Sequence, residues 1–282
     1  MRYGLYVPNF GVSSFARTLA DLARDAEGSG WDGFFLWDHI IEWDERVPIV
    51  DSSTALAAIA MNTKRIRIGT TVTPLPRLRP WEAARRTVSL DHLCNGRLTL
   101  GVGLGGAEST DYERFGESAD NNVLAEKLDE SLDIITGLWT GKPFSYRGKH
   151  YRVKKTAFLP MPKQRPRIPI WCGGFWPNKG PFKRAARWDG IIPLKVEKGG
   201  LHRPTPDDVR DIIAYVKKRR RATTPFDVAI IGWGTGKNPT RDRKRITPYI
   251  EAGMTWWLES LYGWRDSPKH MKTRILKGPP EA

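Results

Sequence analysis

Cysteine is scarce in this sequence. Cys94 and Cys172 are its only two, too few for a disulfide framework or a thiolate metal site. Long apolar runs are missing as well. No stretch approaches the ~20 residues that a membrane span needs, and Met1-Arg2-Tyr3 opens a strand-like segment rather than a signal peptide. The five histidines (His39, His92, His150, His202 and His270) are scattered, and no H-E-x-x-H or similar spacing links them, which argues against a metal centre. These absences lead to the expectation of a soluble, cytoplasmic protein with no membrane and no metal. Its 282 residues, 40% hydrophobic and 27% charged, suit one large globular α/β domain spanning 1–282.

Acidic residues run short only in the second half. Residues 1–141 carry 14 basic and 20 acidic side chains, whereas residues 142–282 carry 32 and 11. The net charge of +15 therefore arises entirely after residue 141. Such an excess fits a phosphorylated ligand, a nucleic acid or an anionic membrane, or simply solvated helix faces. No interleaving of aromatic and basic residues and no groove-reading motif is present, which argues against nucleic acid. Lys179, Lys183, Lys195 and Lys237 lie near predicted strand ends and are the better phosphate candidates.

What the chain does contain is a repeated strand-then-helix pattern. Strands are predicted at Tyr3–Val7, Gly33–Trp37, Arg65–Val72, Leu98–Val102, Ile168–Cys172, Gly190–Leu194, Asp227–Ile231 and Thr255–Glu259. Helices are predicted at Ser14–Glu27, Ser52–Asn62, Trp81–Leu93, Val123–Thr140, Lys179–Arg187, Asp207–Arg221 and Arg243–Ala252, with a last one from Ser267 to Leu276. Phe144–Val153 alternates around Arg147-Gly148-Lys149 and reads as a β-hairpin inserted before strand five, at about 143–154. Eight such units predict a (β/α)8 barrel, with a doubly wound sheet as the alternative. The segment Trp31-Asp32-Gly33 recurs as Trp188-Asp189-Gly190, and more loosely as Met254-Thr255-Trp256. Each copy lies where a helix turns into a strand and reads as a stability element.

A barrel of this kind places chemistry at the C-terminal ends of its strands. The glycines there (Gly103, Gly105, Gly173, Gly174 and Gly234) let a flat or phosphorylated ligand approach the backbone, and Lys237 follows the seventh strand, where barrels commonly hold phosphate. Gly101, Gly103 and Gly106 match G-x-G-x-x-G, but the polar run after them opens no helix for a dinucleotide pyrophosphate. His39 ends the second strand beside Asp38. A histidine there can exchange a proton or hydrogen-bond a ring ligand near neutral pH; a purely structural histidine is the other reading.

These residues resemble the bacterial-luciferase-like monooxygenases and their deazaflavin-dependent relatives. The segments carrying the resemblance are Ala26–Ile40 (AEGSGWDGFFLWDHI), Arg65–Arg86, Ser89–Gly105, Leu128–Trp139, Phe144–Tyr151, Pro166–Pro193 and Ala252–Leu258. The resemblance implies an oxidoreductase whose barrel mouth binds FMN or the 8-hydroxy-5-deazaflavin coenzyme F(420). It implies a cis peptide at Thr71–Val72 behind the ring and His39 facing the ring with Asp38 orienting it, and it makes Trp43, matching an aromatic four residues on in sugar-phosphate-oxidising members, a further catalytic candidate. Sugar-phosphate-oxidising members carry a catalytic glutamate directly after the Gly-x-Gly tip. Here Gly106 holds that position, and Glu108, two residues on, is the candidate to stand in for it. A small organic substrate, a separate flavin reductase and a homodimer are the implied partners. Three functions follow: monooxygenation by reduced FMN and dioxygen, hydride transfer with F(420), or non-catalytic flavin binding.

Overall fold

The computed structural model describes residues 1–11, 14–42, 44–105, 110–198, 200–261 and 268–281. Trp43 and Glu108, two of the site candidates, lie outside the described residues. The first half runs β1 (Arg2–Val7), α1 (Ala16–Gly28), β2 (Gly33–Leu36), α2 (Ser52–Asn62), β3 (Arg67–Thr70), β4 (Thr73–Pro74), α3 (Pro80–Leu93), β5 (Leu98–Gly103), α4 (Thr110–Glu113) and α5 (Asn121–Trp139). The second runs β6 (Phe144–Arg147), β7 (Arg152–Thr156), β8 (Ile170–Trp176), α6 (Lys179–Ala185), β9 (Gly190–Glu197) and β10 (Gly200–His202). It closes with α7 (Pro206–Lys217), β11 (Asp227–Gly232), α8 (Pro239–Glu251), β12 (Trp256–Ser260) and α9 (Pro268–Leu276).

Eight strands pair in parallel in the order β1-β2-β3-β5-β8-β9-β11-β12, and β12 returns to β1 in the register Arg2↔Trp256. The sheet is thus a closed (β/α)8 barrel, not an open doubly wound sheet. β6 and β7 form an antiparallel hairpin off this path, and its second strand reaches Thr156, beyond the expected end near 154. β10 was not foreseen. It folds back antiparallel on the end of β9, pairing Leu201 with Val196. The polar run after Gly105 also holds α4, a single helical turn too short to give a periodic signal.

Several helices begin where a side chain satisfies their free N–H groups. Asp51 accepts from Thr54 N at the start of α2, Asp120 from Asn122 N and Val123 N at α5, and Thr205 with Asp208 forms a capping box at α7. The three echo segments have one job. Asp32 Oδ2 accepts the N–H of Tyr3 at 2.8 Å, Asp189 Oδ2 that of Ile170 at 2.8 Å, and Thr255 Oγ1 that of Val228 at 2.9 Å. In each copy the side chain grips the first residues of the preceding barrel strand. Glu27 plays a similar part for the turn into β3, accepting from the N–H groups of Lys64, Arg65 and Ile66.

The barrel interior is filled by Phe35, Trp171, Ile192, Ala229, Ile231, Trp256 and Leu258. Phe35, Trp171 and Trp256 contact one another with ring centroids 5.2–5.6 Å apart. Glycines vacate the space these rings need. A Cβ on Gly33 would lie 2.4 Å from the Phe35 ring, and one on Gly190 would lie 2.5 Å from Trp171. Elsewhere β3 and β5 come too close for side chains: a Cβ on Gly69 would sit 2.0 Å from the Thr99 carbonyl oxygen.

Backbone cannot yield to a new methyl as a flexible side chain can, so Gly69→Ala should lower stability by about 2–3 kcal/mol. Gly28→Ala, where an added Cβ meets nothing within 4 Å, should be neutral or slightly stabilising. Urea midpoints of the two variants test this contrast. Burial alone would raise the Glu27 carboxyl, but its three backbone donors and Arg65 hold it below the ordinary range. Its stabilisation is therefore present above the unfolded carboxylate value and lost as pH falls through the lower folded one. Glu27→Gln should accordingly reduce Tm at pH 7, and the difference from the parent should shrink as pH falls below the ordinary carboxylate range.

Candidate active site

Above the interior plug the strand tips form a mouth. Tyr6, Val72 and Leu194, all partly buried, pack on the plug and make its floor. Val72 lies between bare backbone: a Cβ on Gly103 would be 2.7 Å from Val72 Cγ2, and one on Gly173 would be 3.0 Å from Cγ1. The Thr71–Val72 peptide is cis. The Thr71 hydroxyl is buried and has no hydrogen-bond partner among the described residues. Floor, bare tips and free hydroxyl together suit a flat apolar ring with a polar edge.

One wall of the mouth is polar and tightly braced. Asn9, two residues past β1 and fully buried, donates from Nδ2 to the His39 and Val50 carbonyls at 2.8 and 2.9 Å. Its Oδ1 accepts the His39 N–H at 3.1 Å. The His39 backbone is therefore clamped on both sides, while its imidazole stays about one-third exposed. Phe10 and Trp37 flank that ring, with centroids 5.8 and 5.7 Å away.

Asp38, expected to orient His39, is bonded to other partners. Arg77 Nη2 donates to Asp38 Oδ1 at 3.0 Å, and Thr73 Oγ1 donates to Oδ2 at 2.6 Å, so both oxygens are engaged elsewhere. Among the described residues, the carboxylate that reaches the imidazole belongs to Asp111 on α4, whose Oδ2 is 3.9 Å from His39 Nδ1. Asp111 is buried, accepts the Ile40 N–H at 3.3 Å and lies 3.3 Å from Arg77 Nη1. Arg77 thus bridges two carboxylates. Tyr112 beside it is fully buried and donates to the Leu104 carbonyl at 2.8 Å, which pins α4 over the tip of β5. Burial pushes that phenol up, keeping it protonated as a donor.

Other glycine candidates serve packing or turns. The space above Gly174 is occupied by Pro181 of α6, 2.4 Å from a built Cβ. Gly105 has a left-handed φ of +91° and abuts Pro74 and Tyr112. Gly234, with φ of +75°, and Lys237 lie in the loop between β11 and α8. That loop is held from behind. Buried Glu259 accepts from the Thr235 N–H at 2.9 Å and its hydroxyl at 2.7 Å, and Asp242 accepts from Gly236 N at 2.6 Å. Lys237 is exposed beside Asn238, the cap of α8. Neither cysteine is a nucleophile candidate: both are buried, and desolvation pushes the Cys172 thiol up to about 12. Among the described residues no cluster of three metal-ligating side chains occurs, and no helix is long and apolar enough to cross a membrane.

The sequence reading missed Asn9, Thr73, Arg77 and Asp111. Asn9 was within reach of the strand-tip rule. The other three are joined across strands 35 to 71 residues apart, which no local pattern reports. Replacing Arg77 with Met should leave two buried carboxylates without their shared cation and cost about 3–5 kcal/mol. Thermal unfolding measures that loss. Arg77→Lys should recover only part of it, since one ammonium cannot span both partners as the guanidinium fork does.

Comparison with known proteins places the chain in a family. An uncharacterised protein of Mycobacterium tuberculosis is 30% identical over 244 residues, covering 77% of this chain and 80% of that one. An F(420)-dependent glucose-6-phosphate dehydrogenase of Nakamurella multipartita is 33% identical over 162 residues, 56% of this chain but only 47% of the dehydrogenase. In fold, the chain is similar to an F(420)-dependent secondary alcohol dehydrogenase solved with an F(420)–acetone adduct, with a TM-score of 0.76 at 17% identity over 99% of each chain. The family model described as luciferase-like monooxygenase matches residues 1–231. The chain belongs to the luciferase-like monooxygenase family.

Proposed function

We propose that this protein is an oxidoreductase that binds a flavin-type ring, FMN or the deazaflavin F(420), at the barrel mouth and acts there on a small organic substrate. The observation that carries the reading is the cradle at Val72. Gly103 and Gly173 make room for the Val72 side chain, which forms an apolar platform, and the buried Thr71 hydroxyl beside it has a free hydrogen-bonding capacity. Val72 would hold the ring plane, and Thr71 a polar atom on its edge. When bound, reduced FMN supplies dioxygen activation and F(420) supplies hydride transfer.

The residues of the chain then divide the remaining work. Asn9 fixes the height of His39 by gripping its backbone from both sides. Asp111 on the Nδ1 side favours the tautomer protonated at Nδ1, which leaves Nε2 to take or give a proton at the substrate. Arg77 holds Asp111 and Asp38 together, so the tips of β2 and β3 and the turn of α4 keep one geometry. Tyr6, Val72 and Leu194 keep water off the inner side of the ring. With FMN the protein would draw reduced cofactor from a separate reductase. With F(420) it would need none.

Titrating the purified protein with FMN and with F(420), followed by ring fluorescence, tests the reading. Saturable binding of one of them is expected, weakened in Thr71→Val; binding of neither would leave the proposal without support. His39→Ala should retain ring binding and Tm while losing turnover at least about 100-fold. Undiminished turnover in that variant would remove His39 from the mechanism.

A further inference from the structure

One wall of the mouth rises above its floor. In β9, Ile192 and Leu194 face the barrel axis, and Val196 follows in the same alternation. β10 returns antiparallel with Leu201 opposite Val196, so these two side chains share a face. Both are open to solvent, Val196 at 47% and Leu201 at 59%. The ion pairs of this hairpin lie on its other face. Lys195 Nζ, between two inward-facing residues, is 2.6 Å from Glu197 Oε1 and 3.0 Å from Asp208 Oδ2, the latter part of the α7 capping box.

The cation that follows β10 stacks on aromatic rings, and its buried Nη1 has no hydrogen-bond partner among the described residues. The Arg203 guanidinium lies 4.9–5.4 Å from the centroids of Trp233, Tyr249 and Trp257. Trp257 and Tyr249 belong to the packing outside the barrel, so Arg203 serves that outer layer. Among the described residues Tyr6, Trp37, Val72, Leu194 and Val196 continue the inward face without a charge, and the charged groups beside it, Asp38, Arg77 and Asp111, are paired with one another. A rigidly held, solvent-exposed apolar pair beside such a mouth is covered most favourably by an apolar ligand.

We infer that Leu194, Val196 and Leu201 form the substrate wall, and that the substrate is a neutral, apolar organic molecule rather than a phosphorylated sugar. The inference rests on the reading of the mouth as the reaction site. It assigns the hairpin of β9 and β10 to specificity, with Lys195 and Asp208 as the brace that holds it in place.

Ligand-observed NMR on the full chain, with and without the bound ring, would use acetophenone as the neutral apolar probe and glucose 6-phosphate as the anionic one. Acetophenone should bind, glucose 6-phosphate should fail to displace it, and Val196→Asp/Leu201→Asp should weaken the ketone at least tenfold. Leu201→Ser alone should give a smaller loss, and Tm should hold in both because the positions are exposed. Tighter binding of glucose 6-phosphate than of the ketone, or equal ketone affinity in parent and double variant, would overturn the inference. So would a parent dimer by light scattering that the double variant dissociates, since the face would then belong to a second copy. FMN and F(420) titrations of the same proteins separate the two claims. A ketone effect without ring binding supports the wall and removes the flavin reading, whereas ring binding without a ketone effect does the reverse.

Discussion

The mutual packing of Phe35, Trp171 and Trp256 is the constraint on which the rest of this barrel depends. Three large rings buried from β2, β8 and β12 fill the interior that eight tilted strands leave between them. Each buries on the order of 150–250 Å², worth several kcal/mol by area alone. They fit only because Gly33 and Gly190 present no side chain toward them. The plug also sets the height of the floor. Tyr6, Val72 and Leu194 rest on it, so the mouth begins where the rings end. A bulkier residue at Gly33 would therefore disturb the site as well as the core.

Polar order above that floor comes from one buried guanidinium. Isolated carboxylates as buried as Asp38 and Asp111 would be costly, and Arg77 makes them tolerable by serving both. The triad also has a geometric effect. It ties the segment after β2 to the turn before α3 and to α4. Asn9 adds the segment after β1 by its paired bonds to the backbone of His39. The imidazole is thus the exposed element of an otherwise rigid wall, which is the arrangement a proton-transferring group requires.

Much of this was legible from local pattern. The eight barrel strands and their helices follow from alternating periodicities, and α2 occupies the span its small residues and Asp51 indicate. The Trp-Asp-Gly echo was read as structural, and the hydrogen bonds of Asp32 and Asp189 give the physical reason. Asp38 shows the limit of adjacency. Neighbouring side chains on an extended segment point apart, so a residue beside His39 in sequence is poorly placed to hydrogen-bond its ring. Gly174 and Gly234 show a second limit. A glycine signals that a side chain is excluded, not what excludes it: at Gly174 it is Pro181, and at Gly234 a left-handed turn. β10 was missed because three exposed residues carry no periodic signal.

The lopsided charge is resolved by the same cross-chain contacts. Helix α5, from the acidic half, presents Glu126, Asp129, Glu130 and Asp133 at helical spacing, on one side of the helix. The basic half meets that face twice. From the inserted hairpin, Lys149 and His150 bind Glu126, while Glu130 accepts the backbone N–H groups of residues 149–151. From α6 and its end, Arg184 pairs with Asp129 and Arg187 with Asp133. Arg220 spends its charge on the Trp188 and Thr224 carbonyls, and Arg274 on that of Gly278. The excess that suggested an anionic partner is thus partly an internal seam, closing the second half of the barrel onto the first. An uncharged substrate wall on β9 and β10 is compatible with a strongly basic chain for that reason: Lys195 of that hairpin and Lys179 and Arg184 of α6 are committed to the protein's own carboxylates and rings before any ligand arrives.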